Sequence, residues 1–157
     1  MNVKLITVGK TVANYLLEGE SEYQKRLKHY MRFERLDLNE LKGTHKLSKE
    51  EIKKKEADLI LTHLKPSDVV VLLDENGKDM SSIEFSQWFE KKGVSGLKKL
   101  VFIIGGAYGF DQVVYQRSIA KIRLSSMTFS HQMVRLFFLE QLYRSATILK
   151  REKYHHQ

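Results

Sequence analysis

The chain of 157 residues has the size of one domain, 1–157, and is 42% apolar with one proline and no cysteine. That composition excludes a disordered linker, disulfides, thiolate zinc or iron–sulfur centres and any thiol nucleophile, and it fits a cytoplasmic address. Lys and Arg number 27 against 19 Asp and Glu, a formal charge of +8, which points either to a polyanionic partner or to a lysine-coated, solvated surface.

No apolar stretch reaches the roughly 18 residues of a membrane span, and Met1 to Gly9 is too short for a signal peptide. Val3 to Val8 reads as a first strand, ended by Gly9-Lys10. Leu16, Tyr23, Leu27 and Tyr30 recur at helical spacing over 12–30, and Phe33 to Leu38 reads as a second strand. Asn39 to Lys49 is polar and turn-rich, the composition of a mobile surface excursion. Ser48 and Glu51 have capping-box spacing and open a Lys/Glu-rich helix to about Leu64, whose Lys53-Lys54-Lys55 run reads as a solvated face. Val69-Val-Val-Leu-Leu73 is a continuous run expected of a strand buried on both faces, and Asp74 to Lys78 is expected to end it in a turn. Ser81 and Glu84 repeat the capping box and begin a helix that buries Phe85, Trp88 and Phe89. Gly93 to Lys98 links to a strand at Leu100–Ile104, a short helix over Asp111–Ser118, a strand at Ile122 and a last helix from about His131 to Arg151.

Strand and helix alternate, so the fold class is α/β, a mainly parallel sheet flanked by helices. In the last helix the run Leu136-Phe137-Phe138-Leu139 wraps most of the circumference. One side is therefore expected on the sheet and the other against a second copy of the chain.

The charges are not evenly spread. Lys25, Arg26, Lys28, His29, Arg32 and Arg35 interleave with Tyr23, Tyr30 and Phe33, and Lys150, Arg151, Lys153, Tyr154, His155 and His156 fall at the other end. Basic residues among aromatics suit phosphate contact with base stacking, a combination fitted to RNA loops.

Several chemistries fail on inspection. Ile104 stands where a dinucleotide fingerprint needs its first glycine, and no Gly-Lys-Ser/Thr is present. His155-His156 lacks the carboxylates of a metal site, so no metal is expected, and Ser125, Ser126 and His131 lack a nucleophile elbow. What remains is a crevice built from three strand ends: Leu73-Asp74, Gly105-Gly106 and Leu124 to Phe129. Loops of this kind offer backbone polar groups between apolar walls and suit an adenine-containing cofactor. Met127 and Phe129 also fit ordinary core packing, and Ser130 fits an N-cap for the last helix.

Val8-Gly-Lys10, Tyr23 to Leu27, Leu73 to Lys78, Phe102 to Gly109, Ser125 to His131, Arg135, Glu140 to Arg144 and Tyr154-His155 together resemble, in order and spacing, the SPOUT-class RNA methyltransferases. The resemblance implies a C-terminal trefoil knot, a homodimer, and S-adenosyl-L-methionine bound by Leu73, Gly105, Leu124, Ser125, Ser126, Met127, Thr128 and Phe129. It further implies methylation at N3 of a pseudouridine in the helix 69 loop of 23S rRNA, on the assembled ribosome. Ser130 departs from the proline usual before His131, which bears on loop rigidity. On this reading Tyr154 and His155 reach the target nucleotide, His155 serves as base, and Arg135 or Arg144 holds phosphate. Two rival readings are a non-catalytic RNA- or ribosome-binding protein on the same fold and a methyltransferase for a small molecule or protein.

Overall fold

The computed structural model describes residues 1–156. Five strands, β1 (Asn2–Val8), β2 (Arg32–Leu38), β3 (Val69–Asp79), β4 (Lys99–Ile104) and β5 (Ala120–Arg123), alternate with five α-helices. The helices are α1 (Asn14–Leu27), α2 (Lys49–Thr62), α3 (Ser82–Val94), α4 (Gln112–Arg117) and α5 (Met133–Leu149). Every strand pairing is parallel and the order is β2-β1-β4-β3-β5.

Both faces of the sheet are covered, which is why β3 and β4 read as unbroken apolar runs rather than alternating ones. On one face Leu5, Val71, Leu73, Leu100, Phe102 and Ile104 meet Leu27, Phe85, Phe89, Phe138, Leu139 and Leu142 from α1, α3 and α5. On the other, Ile6, Val8, Val70, Leu72, Val101 and Ile103 meet Ala57 and Ile60 of α2 and Val114 of α4. Both expected capping boxes form, at Ser48 with Glu51 and at Ser81 with Glu84. Among the described residues no helix is long and apolar enough to cross a membrane.

Three boundaries differ from the sequence expectation. The first helix spans Asn14–Leu27 rather than 12–30, because the last residues close in tight turns from Arg26 and Leu27. The expected turn at Asp74–Lys78 is an irregularity inside β3: after it, Lys78 and Asp79 pair again with Ile122 and Arg123 of β5. Gly77 permits that approach, since a Cβ there would lie 2.6 Å from the Ile122 backbone. The last helix begins at Met133, two residues later than expected, with Gln132 rather than Ser130 as its cap residue. Ser130 still works beside that end: its Oγ accepts the Met133 N–H at 3.2 Å and its carbonyl accepts from Val134.

The path from β5 to α5 places the site. β5 lies at one edge of the sheet, yet the Gln132 side chain accepts the Val12 N–H at 3.0 Å and donates to the Lys10 carbonyl at 3.1 Å, just beyond β1. Residues 124–132 therefore cross the carboxyl ends of β3 and β4, and α5 then packs against α1 and α3.

Candidate functional site

A cavity of about 640 Å³ opens at the carboxyl ends of β3, β4 and β5. Leu73, Gly105, Leu124, Ser125, Met127, Thr128 and Phe129, all singled out in the sequence, lie on its wall; Ser126 does not. Ile104, Ile122 and Val134 complete the apolar lining. The polar part of the wall joins glycine-loop main chain to side chains such as Asp74, Glu75, Arg123 and His131, a donor and acceptor set that fits a purine ring and a flexible amino-acid tail. Among the described residues no cluster of metal-ligating side chains is present.

Local chemistry shapes each wall. The Gly109 N–H bonds the Gly106 carbonyl at 3.3 Å, closing a turn that presents Ala107 and Tyr108. Gly109 has φ +80, the left-handed region open to glycine, which makes that turn possible. Asp74 is held at both oxygens: Oδ1 accepts the Asn76 N–H at 2.8 Å, and Oδ2 accepts the Tyr115 hydroxyl at 2.5 Å. Burial, and then this bond to Asp74, push the Tyr115 hydroxyl up to about 12, so it stays a donor at neutral pH. Ser125 Oγ accepts the Met127 N–H at 2.9 Å, turning Met127 outward to 75% exposure at the mouth, while Phe129 packs against Phe137 at 4.8 Å.

The sequence reading missed the α2 side of the mouth. Lys49, Glu50 and Lys53 line it, with the Lys49 ammonium 5.3 Å from the Tyr108 ring and Lys53 paired to Glu50 at 3.0 Å. The capping box at Ser48 set where α2 starts, but no local signal tells which lysine of a Lys53-Lys54-Lys55 run turns toward a loop fifty residues away.

A family model described as "Predicted SPOUT methyltransferase" matches residues 1–155. The chain belongs to the SPOUT methyltransferase family. Its relatives are full-length matches. A Flavobacterium psychrophilum protein named Ribosomal RNA large subunit methyltransferase H is 53% identical over 157 residues, covering all of both chains. Proteins of the same name from Bacteroides fragilis, 52% identical over all of both chains, and from Cytophaga hutchinsonii, 54% identical over 99% of this chain and all of that one, agree. The trefoil knot expected above is a property this SPOUT membership implies for the crossing of residues 124–132.

The residues expected to handle the nucleotide lie elsewhere in this SPOUT methyltransferase. Arg135 is fully buried at the start of α5, donating to Thr11 Oγ1 at 3.1 Å and to the Val8 carbonyl at 2.8 Å. Thr11 also donates to Glu20, and Arg35 bridges Glu20 and Asp37 at 2.7 and 2.8 Å, so the network is shared by two arginines and two acids. A guanidinium so enclosed cannot hold a phosphate. Arg135 instead ties α5 to the end of β1, a correction its helical position alone could not supply.

Tyr154 and His155 follow the end of α5 in the chain. Tyr154 donates to Glu140 at 3.0 Å and shares a 3.2 Å hydrogen bond with the Tyr23 hydroxyl. Burial first, then these two partners, hold its hydroxyl well above the usual tyrosine range. Arg144 bonds Glu140 at 2.6 Å, stacks 4.7 Å over the Tyr154 ring and lies 3.2 Å from His155 Nδ1. Because a guanidinium only donates, Nδ1 accepts and the ring proton sits on Nε2, which is buried without a partner. Glu140 and Arg144, the partners of Tyr154 and His155, lie about two to three turns along α5 from Val134 on the cavity wall, roughly 9 to 15 Å, so the tail folds back along the helix without reaching the cavity. Neither Tyr154 nor His155 lines that cavity.

Proposed function

We propose that this protein is an S-adenosyl-L-methionine-dependent methyltransferase of large-subunit ribosomal RNA. Its proposed target is N3 of a pseudouridine in the helix 69 loop of 23S rRNA, in the assembled ribosome of the cytoplasm. One observation carries the reading: the cavity is formed by the loops that the family resemblance marks for the cofactor, in a chain about half identical, end to end, to proteins named for that RNA.

The bound cofactor supplies an electrophilic methyl group on a sulfonium sulfur. The chain's own work is then alignment and dehydration. The Gly105–Gly109 turn and the 124–129 segment hold the cofactor by main-chain groups and apolar contacts, and Leu73, Ile104 and Leu124 keep water from its face. Lys49, with Tyr108 beneath it, and the alkyl-stemmed Lys53 offer charge and a stacking surface to RNA at the mouth. No covalent adduct to the base is required, in keeping with a chain without cysteine.

Neither Tyr154 nor His155 lines the cavity of its own chain, so a homodimer that sets the partner's tail at each cavity completes the site. Val12, Tyr15, Met127, Met133 and Phe137 are exposed around the cavity end of α1 and α5, an apolar surface of the kind a second copy covers. In the tail, Arg144 occupies His155 Nδ1, and Nε2–H, buried in the single chain, donates to a uracil carbonyl only once docking uncovers it, there stabilising the negative charge that develops as N3 loses its proton. His155 acts as base only when Arg144 releases Nδ1.

The direct test incubates the protein with ribosomes and methyl-labelled S-adenosyl-L-methionine and maps the label by mass spectrometry. Label on N3 of one helix 69 pseudouridine is the expected result. Ribosome binding without label would overturn the proposal in favour of a non-catalytic module, and label on free small molecules or protein would overturn the substrate.

A further inference from the structure

Behind the cavity wall, outside the lining, stands a carboxylate that the mechanism does not use. Glu56 projects from the middle of α2 and seats its carboxylate against the Gly106 backbone. A Cβ on Gly106 would lie 2.6 and 2.8 Å from the two Glu56 carboxylate oxygens, so the absence of a side chain at 106 is what admits the carboxylate to the main chain. Gly106 is the first residue of the turn closed by Gly109, and the next two residues, Ala107 and Tyr108, line the cavity.

The placement is electrostatically unfavourable. Glu56 is half-buried and has no ion-pair partner among the described residues; Lys53, one turn earlier, is taken by Glu50. The charge that acts on it is another carboxylate, Glu40, which is itself lodged against Gly9 at the end of β1. Burial first, and then Glu40, raise the Glu56 carboxyl above its ordinary value, offset only by the Gly106 N–H. Because folding disfavours its ionised form, the charge on Glu56 costs stability at pH above its folded pKa.

We propose that Glu56 is a positioning residue for the cofactor cavity: its carboxylate, seated against the Gly106 backbone, fixes the Gly106–Gly109 turn in the orientation that keeps the β4 wall open to the cofactor. The inference rests on the reading of that cavity as the S-adenosyl-L-methionine site. It also accounts for the Gly105-Gly106 pair, of which 105 clears the Phe110 ring and 106 clears Glu56.

The test compares full-length wild type, Glu56→Gln and Glu56→Ala by calorimetric titration with S-adenosyl-L-methionine, with thermal unfolding and amide exchange at Gly106 followed in parallel. Glu56→Gln keeps the shape and an oxygen facing Gly106 and is expected to bind within about threefold of wild type; Glu56→Ala, which removes the contact with Gly106, is expected to bind roughly tenfold more weakly and to lose protection at Gly106. Both variants are expected to melt no lower than wild type at pH 7. Equal binding by wild type and Glu56→Ala would overturn the proposal, as would a parallel fall in melting temperature and affinity in both variants, the mark of simple packing. Wild type that binds no cofactor would overturn the reading of the cavity, and this inference with it.

Discussion

Two stretches of α5 do different work by different means. At the start of the helix, the cavity joins glycine loops and an apolar wall to charged side chains such as Lys49, Asp74, Glu75 and Arg123, with Glu56 standing behind it. Along its middle, the Tyr23, Glu140, Arg144, Tyr154 and His155 cluster is almost entirely side chain, a mesh of aromatic rings and charge-assisted hydrogen bonds. A cofactor common to many reactions needs shape and main-chain contact, whereas a single nucleotide needs donors and acceptors at chosen points. On the proposed function, the cavity binds the cofactor and the tail cluster meets the nucleotide.

If the two regions are separable, variants at one should spare the other. Arg135→Met should have the largest effect, about 3 kcal/mol of lost stability in denaturant unfolding, because it strips the buried donors from Thr11 and the Val8 carbonyl. Lost stability well under 1 kcal/mol would show that Arg135 is not the tie between β1 and α5. Deleting 154–157 should lower turnover on ribosomes by roughly 100-fold or more while leaving calorimetric affinity for S-adenosyl-L-methionine unchanged. A matching loss of cofactor affinity would break the comparison outright.

Phe137→Glu places a charge on the exposed apolar patch and should weaken self-association roughly tenfold or more in sedimentation, with turnover falling in step. Wild type that sediments as a monomer at micromolar concentration would remove the need for a partner's tail. Tyr154→Phe deletes one hydroxyl shared by Tyr23 and Glu140 and should lower stability by about 1 kcal/mol, with cofactor binding intact.

The smallest effect is a pH dependence at the cavity end. Glu56 binds its proton more tightly in the folded chain than at its ordinary value of 4.5. Its contribution to stability is therefore present below that value and is lost as pH rises through the folded pKa. Wild type should thus lose stability relative to Glu56→Gln as pH climbs above 4.5, with the difference levelling at neutral pH. A gap that widens toward acid would reverse the sign and refute the account.

Much of the cavity was legible in the chain. Apolar runs ending in Gly105-Gly106 and in Leu124 to Phe129 announce buried parallel strands with ligand-ready loops, and seven of the eight expected cofactor residues lie on one wall. Lys53 and Glu56 were not legible, because one helical turn separates a residue at the mouth from one behind the wall, and only the position of the β4 loop tells them apart. Arg135 misled for a related reason: an arginine on a helix reads as a surface group until its burial beside Thr11 and Val8 is known.

By itself the sequence determined the alternation of strand and helix, the capping boxes, the glycines of the turn and the resemblance to a family, since each depends on neighbours within a few residues or on motif order. Tertiary structure alone decided which strand lies beside which, how residues 124–132 cross the sheet, and that Tyr154 and His155 fold back onto Tyr23, Glu140 and Arg144 rather than into the cavity. Those facts follow from contacts between residues as far apart as Val12 and Gln132. No local propensity encodes them, because the packing that selects them exists only once the whole chain has collapsed onto the sheet.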